Sequence, residues 1–183
     1  GNASDFGDLT AGRASLMSAS SKIRAVAAGG NTGSAVNVID YVTIASEGNA
    51  SDFGDLSSTS QEGTGTGSST RGLFQLGLAT DNVNTIEYVT IASTGNATDF
   101  GDRTTTAAYG QDSAVSSPTR GVFSGGFISS SVNIIDYVTI ASTGDATDFG
   151  DTSVTRYGMG GASSATRGVF GGGNTSGDTM DYI

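Results

Sequence analysis

A chain of 183 residues with 18 acidic and 8 basic side chains carries a formal charge of −10 and has no His, Cys or Trp, yet is long enough for one sizeable core. The missing residue types exclude a disulfide framework, a thiolate or imidazole catalyst and sulfur- or imidazole-ligated zinc, and the acidity argues against a nucleic-acid partner. No apolar run approaches the ~20 residues of a membrane-spanning helix, and 29 Gly against one Pro point to a chain full of turns.

Taken in chain order, the first recognisable element is Ser4-Asp5-Phe6-Gly7-Asp8, and it returns as Ser51 to Asp55, Thr98 to Asp102 and Thr147 to Asp151. Its Phe residues are spaced 47, 47 and 49 apart. Two further markers keep the same phase: a lone basic residue at Arg24, Arg71, Arg120 and Arg167, and an acid-Tyr pair at Asp40-Tyr41, Glu87-Tyr88, Asp136-Tyr137 and Asp181-Tyr182. The chain is therefore four copies of one unit, at approximately 1–47, 48–94, 95–143 and 144–183, in a single domain spanning 1–183. Gly1 stands where an initiator Met is expected and no signal peptide precedes it, which reads as a processed or excised product.

Each unit reads as four short strands. The first is a small-residue stretch, Arg13 to Ala19 and its counterpart Arg156 to Ala162, suited to a place where backbones approach closely. The second, such as Arg120 to Gly126, ends in a Gly pair. The third, such as Asn133 to Ile140, is rich in β-branched and aromatic residues, and the fourth ends at Phe-Gly-Asp, as in Ala146 to Asp151. No helical period persists; the best candidate, Ala11 to Ala28, aligns with strand sequence in the other units.

Four strands per ~40–50 residues is the pattern of a propeller blade. With Arg156-Tyr157-Gly158 in the first strand, Gly pairs at Gly29-Gly30, Gly125-Gly126 and Gly171-Gly172 in the second, a Tyr in the third and an aromatic in the fourth, the unit resembles a kelch-type repeat, Phe standing where that pattern has Trp. The second unit departs from it, with Gln61-Glu62-Gly63 and Leu76-Gly77-Leu78 at the two motif positions. The expected fold is all-β: a four-bladed kelch-like β-propeller of about 47 residues per blade, with the N-terminal strand completing the C-terminal blade. The wording of the repeat, Ile135 to Asp151 followed by Thr166 to Gly173, also resembles repeats in virion structural and tail-fibre proteins of marine and cyanobacterial phages. That resemblance implies a non-enzymatic structural or adhesive module of a virion or related extracellular appendage, with virion or other assembly proteins as partners. The alternatives are a lectin that binds cell-surface glycans through variable loops, and a filament-forming repeat protein.

The candidate chemistry is spread evenly. The repeated acids Asp5, Asp8, Asp52, Asp55, Asp99, Asp102, Asp148 and Asp151 invite a structural Ca²⁺, the one cofactor this sequence suggests, or else serve as turn residues that accept backbone N–H bonds. A kinase reading of Asp-Phe-Gly fails because Lys22 is the only Lys and no His exists. Arg24, Arg71, Arg120 and Arg167 are expected to tie strands together by pairing with Asp40, Glu87, Asp136 and Asp181, or to bind an anionic ligand. Twelve of the 18 acids fall at repeated positions, so no pair is singled out for catalysis and no catalytic residue is assigned. Asn-x-Ser/Thr triplets at Asn2, Asn49, Asn96 and Asn174 and the Gly63 to Gly67 run read as turn and loop sequence. The units differ at 61–69, 76–82, 107–118 and 127–131, and the aromatics outside the repeated set, Tyr109, Phe127 and Tyr157, are the candidates for stacking on a sugar ring.

Overall fold

The computed structural model describes residues 1–78, 83–107, 112–174 and 177–183. Among them there is no helix, and the chain forms four antiparallel sheets in sequence order. The first contains β1 (Met17–Ser20), β2 (Arg24–Ala28), β3 (Val36–Thr43) and β4 (Ser51–Ser60). The second contains β5 (Thr64–Gly67), β6 (Arg71–Gln75), β7 (Val83–Thr90) and β8 (Thr98–Ala107). The third contains β9 (Ser113–Ser116), β10 (Arg120–Ser124), β11 (Ile134–Thr139) and β12 (Thr147–Asp151). The fourth has three strands, β13 (Gly160–Ser163), β14 (Gly168–Gly171) and β15 (Met180–Tyr182). Every sheet is a meander, each strand pairing with its neighbour in sequence.

The short first strands of consecutive sheets meet one another, β1 with β5, β5 with β9 and β9 with β13. Small residues make this approach feasible: a Cβ on Gly65 would come within 2.2 Å of the Ser18 carbonyl oxygen. A cavity of about 380 Å³ opens between three of these strands, lined by Ser18, Ser20, Thr66 and Ser116 among others.

The core lies between sheets. Met17, Val26, Ile39, Phe53 and Leu56 pack with Phe74, Leu76, Val89 and Ile91 between the first and second. Leu73, Ile86 and Phe100 pack with Phe123, Val138 and Ile140 between the second and third. A smaller group, Val115, Val122 and Ile135 with Met159 and Phe170, joins the third to the fourth. A lone sheet of this size cannot bury its apolar face, so each depends on the next.

The Phe-Gly-Asp strand follows one design in three sheets. Its pairing with the Tyr strand shifts register between Ile39 and Asp40, Ile86 and Glu87, and Ile135 and Asp136. The bulge sets Gly54 at φ 147°, where a Cβ would stand 2.5 Å from the Gly95 carbonyl, so glycine is required twice over. That close approach is a contact between units: Gly95 and Ala97 donate backbone N–H bonds to the carbonyls of Phe53 and Asp55, and Gly144 and Ala146 do the same for Phe100 and Asp102.

One expectation needs correction. The N-terminal segment does not complete the fourth sheet, which has three strands among the described residues, and residues 1–9 form no strand. The segment lies instead against the first sheet, where Phe6 and Asp8 accept from the N–H groups of Gly48 and Ala50 at 2.8 Å each. The physical reason is the repeat itself: these are the bonds that β4 and β8 make to the following unit, so residues 4–8 occupy the place of a strand preceding the first sheet. The expected first strands at Arg13 to Ala19 and Arg156 to Ala162 both begin four residues later, at Met17 and Gly160.

Candidate functional site

Three of the four repeated acids of the third strand are among the most deeply buried polar groups of the fold. Asp40, Glu87 and Asp136 are at most 1% exposed. Each accepts from a hydroxyl residue two positions after the preceding Phe-Gly-Asp. Thr10 Oγ1 donates to Asp40 at 2.7 Å and its N–H at 3.3 Å. The Ser57 hydroxyl donates to Glu87, with its N–H at 3.2 Å from the second carboxylate oxygen. Thr104 Oγ1 donates to Asp136 at 2.8 Å and its N–H at 3.1 Å. Because Ser57 and Thr104 lie on β4 and β8, these bonds staple one sheet to the next. A buried carboxylate with two or more donors is a satisfied one.

Cations pair with three of the four repeated acids. Arg13 meets Asp40 at 2.9 Å, Arg103 Nε meets Asp136 at 2.9 Å, and Arg156 bonds Asp181. Glu87 has no ion pair among the described residues; the position matching Arg13 and Arg156 is Ser60, which instead accepts the Gly77 N–H at 3.0 Å. Arg103 also bonds Asp112, just before β9. Burial, with the neighbouring Asp136 charge adding to it, outweighs the Arg103 attraction and pushes the Asp112 carboxyl from its ordinary 3.8 up to about 6.

The expected pairing of Arg24, Arg71, Arg120 and Arg167 with these acids is not made. Arg24 sits opposite Thr43 and Asp40 opposite Ala27, so the alternation of the strands sends their side chains to opposite faces. The arginines stack instead on the adjacent Tyr: Arg24 over Tyr41 at 4.4 Å from the ring centroid, Arg71 over Tyr88 at 4.7 Å, Arg120 over Tyr137 at 4.4 Å and Arg167 over Tyr182 at 4.9 Å. Arg24 and Arg71 then reach the next unit, donating to the carbonyls of Ile91 at 3.0 Å and Ile140 at 2.8 Å.

The acids of the Phe-Gly-Asp strands act through the backbone. Asp5 and Asp148 accept the N–H of Gly7 and Gly150 at 3.1 Å, closing the turn into the glycine. The carbonyls of Asp8, Asp55 and Asp102 receive the inter-unit bonds, while Asp52, Asp99 and Asp151 project from exposed positions. No group of three or more acids among the described residues is placed to hold a metal ion.

Of the three candidate ligand aromatics, Tyr109 lies outside the described residues. The structure brings the other two together: Phe127 and Tyr157 meet edge to face at 5.1 Å, and the Asn174 amide bonds the Tyr157 hydroxyl. A second concave feature, of about 220 Å³, separates the third and fourth sheets and is lined by Arg120, Phe149, Ser163, Thr166 and Arg167.

The residues missed in sequence are Thr10, Ser57 and Thr104, together with Arg103 and Asp112. The hydroxyls had a visible signal, since they recur in phase two residues beyond each Asp. Arg103 had none, because it occurs once, where the other units carry Leu9, Leu56 and Thr152. The sequence matches no protein-family model and no curated protein.

Proposed function

We propose that the protein is a non-enzymatic structural and adhesive module built on a four-bladed, kelch-like propeller plan, serving in a phage tail fibre or a related extracellular appendage. The observation that carries this reading is the carboxylate staple at Asp40, Glu87 and Asp136, each receiving a hydroxyl and a backbone N–H, for Glu87 and Asp136 from the last strand of the preceding sheet. Glu87, Asp136, Arg24 and Arg71 join one sheet to the next, which suits a stiff element. The meeting of β1, β5, β9 and β13 in series supports the propeller plan. The phage setting rests on the wording of the repeat.

A glycan-binding reading is favoured by one observation, the Phe127–Tyr157 pair with Asn174 on segments that vary between units. Immunogold electron microscopy with antibody against this chain tests the first reading: label on an extended extracellular structure supports it, and label confined to the cell interior rejects it. A glycan array separates the second. Binding lost in Tyr157→Ala would make the module a lectin, and a blank array leaves the scaffold role.

A further inference from the structure

Two residues that break the repeat meet each other across one junction. The position of Arg103 is held by Leu56 in the first sheet and by Thr152 after the third, and that of Asp112 by Gly63 and Met159. Arg103 leaves β8 of the second sheet and enters the third, where Nε lies 2.9 Å from Asp136 and Nη1 bonds Asp112. Its guanidinium carbon stands 5.7 Å from the centre of the Phe123 ring. Both members of the pair are buried, and Gly126 makes room for the acid, since a Cβ there would come within 2.0 Å of Asp112 Oδ1. The first junction does without such a pair: Leu56 lies in the apolar core and Glu87 takes its hydrogen bonds from Ser57.

The strands involved are otherwise interchangeable. β4 and β8 are ten residues each and sit on β3 and β7 in one register, Val38 opposite Asp55 and Thr85 opposite Asp102. β3 and β7 differ only by Val38 against Thr85 and Asp40 against Glu87. Exchange is also within reach, because Gly95 and Ala97, on the turn leading into β8, already bond Phe53 and Asp55 of β4. Units this alike are prone to pair a strand of one with the sheet of the next. In such an exchange β4 would bring Leu56 to Asp112 and Asp136 and leave both carboxylates buried without a cation, while Arg103 would face Gly63 in place of an acid.

We infer that the Arg103–Asp112 pair directs β8 to β7 and β4 to β3, working against strand exchange between the first two units. The cost falls on the wrong arrangement, and in the right one the pair need add no stability over an apolar contact.

Disulfide trapping tests the inference, since the chain has no cysteine of its own. Val38→Cys with Asp102→Cys reports exchange, and Val38→Cys with Asp55→Cys reports the pairing of the folded chain. Each is placed in the parent and in Arg103→Leu with Asp112→Gly, which rebuilds the Leu56 and Gly63 arrangement of the first junction. The full chain is refolded from urea at high dilution with an oxidant, and links within one chain are mapped by mass spectrometry. The 38–55 link should form in both backgrounds. The 38–102 link should stay at trace level in the parent and rise roughly tenfold or more once the pair is removed. If Asp112→Gly prevents folding, Arg103→Leu with Asp112→Asn keeps the shape of the acid and carries the same expectation. A 38–102 link absent from both backgrounds, or equal in both, overturns the inference. So does failure of both variants to refold, which would make the pair a requirement for stability itself.

Discussion

Arg24 and Asp40 recur in phase through the sequence, yet in the folded chain they leave opposite faces of the first sheet, Arg24 to lie over Tyr41 at 4.4 Å and Asp40 to receive Arg13 at 2.9 Å. The same division of labour holds in the second and third sheets: one face of the Tyr strand carries a cation–aromatic contact, and the other carries a buried carboxylate, Glu87 or Asp136.

The separation of faces is measurable. A double-mutant cycle on Arg71 and Tyr88 should return a coupling of about 0.5–2 kcal/mol. The corresponding cycle on Arg71 and Glu87 should return none, since Arg71 lies opposite Thr90 and Glu87 opposite Phe74. Equal couplings in urea denaturation would mean that the arginine serves the acid.

The staple predicts a cost without any change in shape. Thr104→Val keeps the volume and removes a donor from the buried Asp136, and should lower stability by about 1–3 kcal/mol. Arg103→Met should cost more, about 3–5 kcal/mol, because it leaves Asp112 and Asp136 buried together without their shared cation. Thermal denaturation of the two variants gives the order, and Arg103→Met being the milder would refute it.

The Phe positions of the repeat should not be equivalent. Phe100→Ala removes a ring 2% exposed within the core between the second and third sheets and should cost about 3–5 kcal/mol. Phe149→Ala, at 42% exposed, should cost the isolated chain about 1 kcal/mol or less. Comparable losses at both sites would show that the fourth unit covers Phe149 in solution.

Asp112 gives the pH dependence a definite sign. Its folded carboxyl titrates near 6, above its ordinary 3.8, so the folded state holds this proton more tightly than the unfolded state. The penalty for its charge is present above about pH 6, is relieved as the pH falls through the folded value, and stays constant below the ordinary one. Asp112→Asn should therefore gain on the parent at pH 7–8, and the gap should shrink by about 2–3 kcal/mol by pH 4. Parallel stability curves from pH 4 to 8 would exclude this role for Asp112.

The repeat, its four units and the strand character of each were legible in the sequence, because β-branched runs, paired glycines and in-phase markers are local properties of the chain. So was the crowding around Ser18 in the stretch Arg13 to Ala19, whereas the Gly63 to Gly67 run, expected to be loop, supplies strand β5 against it. Partner choice was not legible. That Arg24 meets Tyr41 and not Asp40 follows from pairing Arg24 with Thr43, and strand register depends on a neighbour distant in sequence. Arg103 shows the same limit, as a single residue off the repeat whose role exists only because β8 carries it to Asp136 and Asp112. The placement of Ser4 to Asp8 against Gly48 and Ala50 was likewise decided only in three dimensions. One strand motif has two edges, and composition alone does not say which of them is filled first.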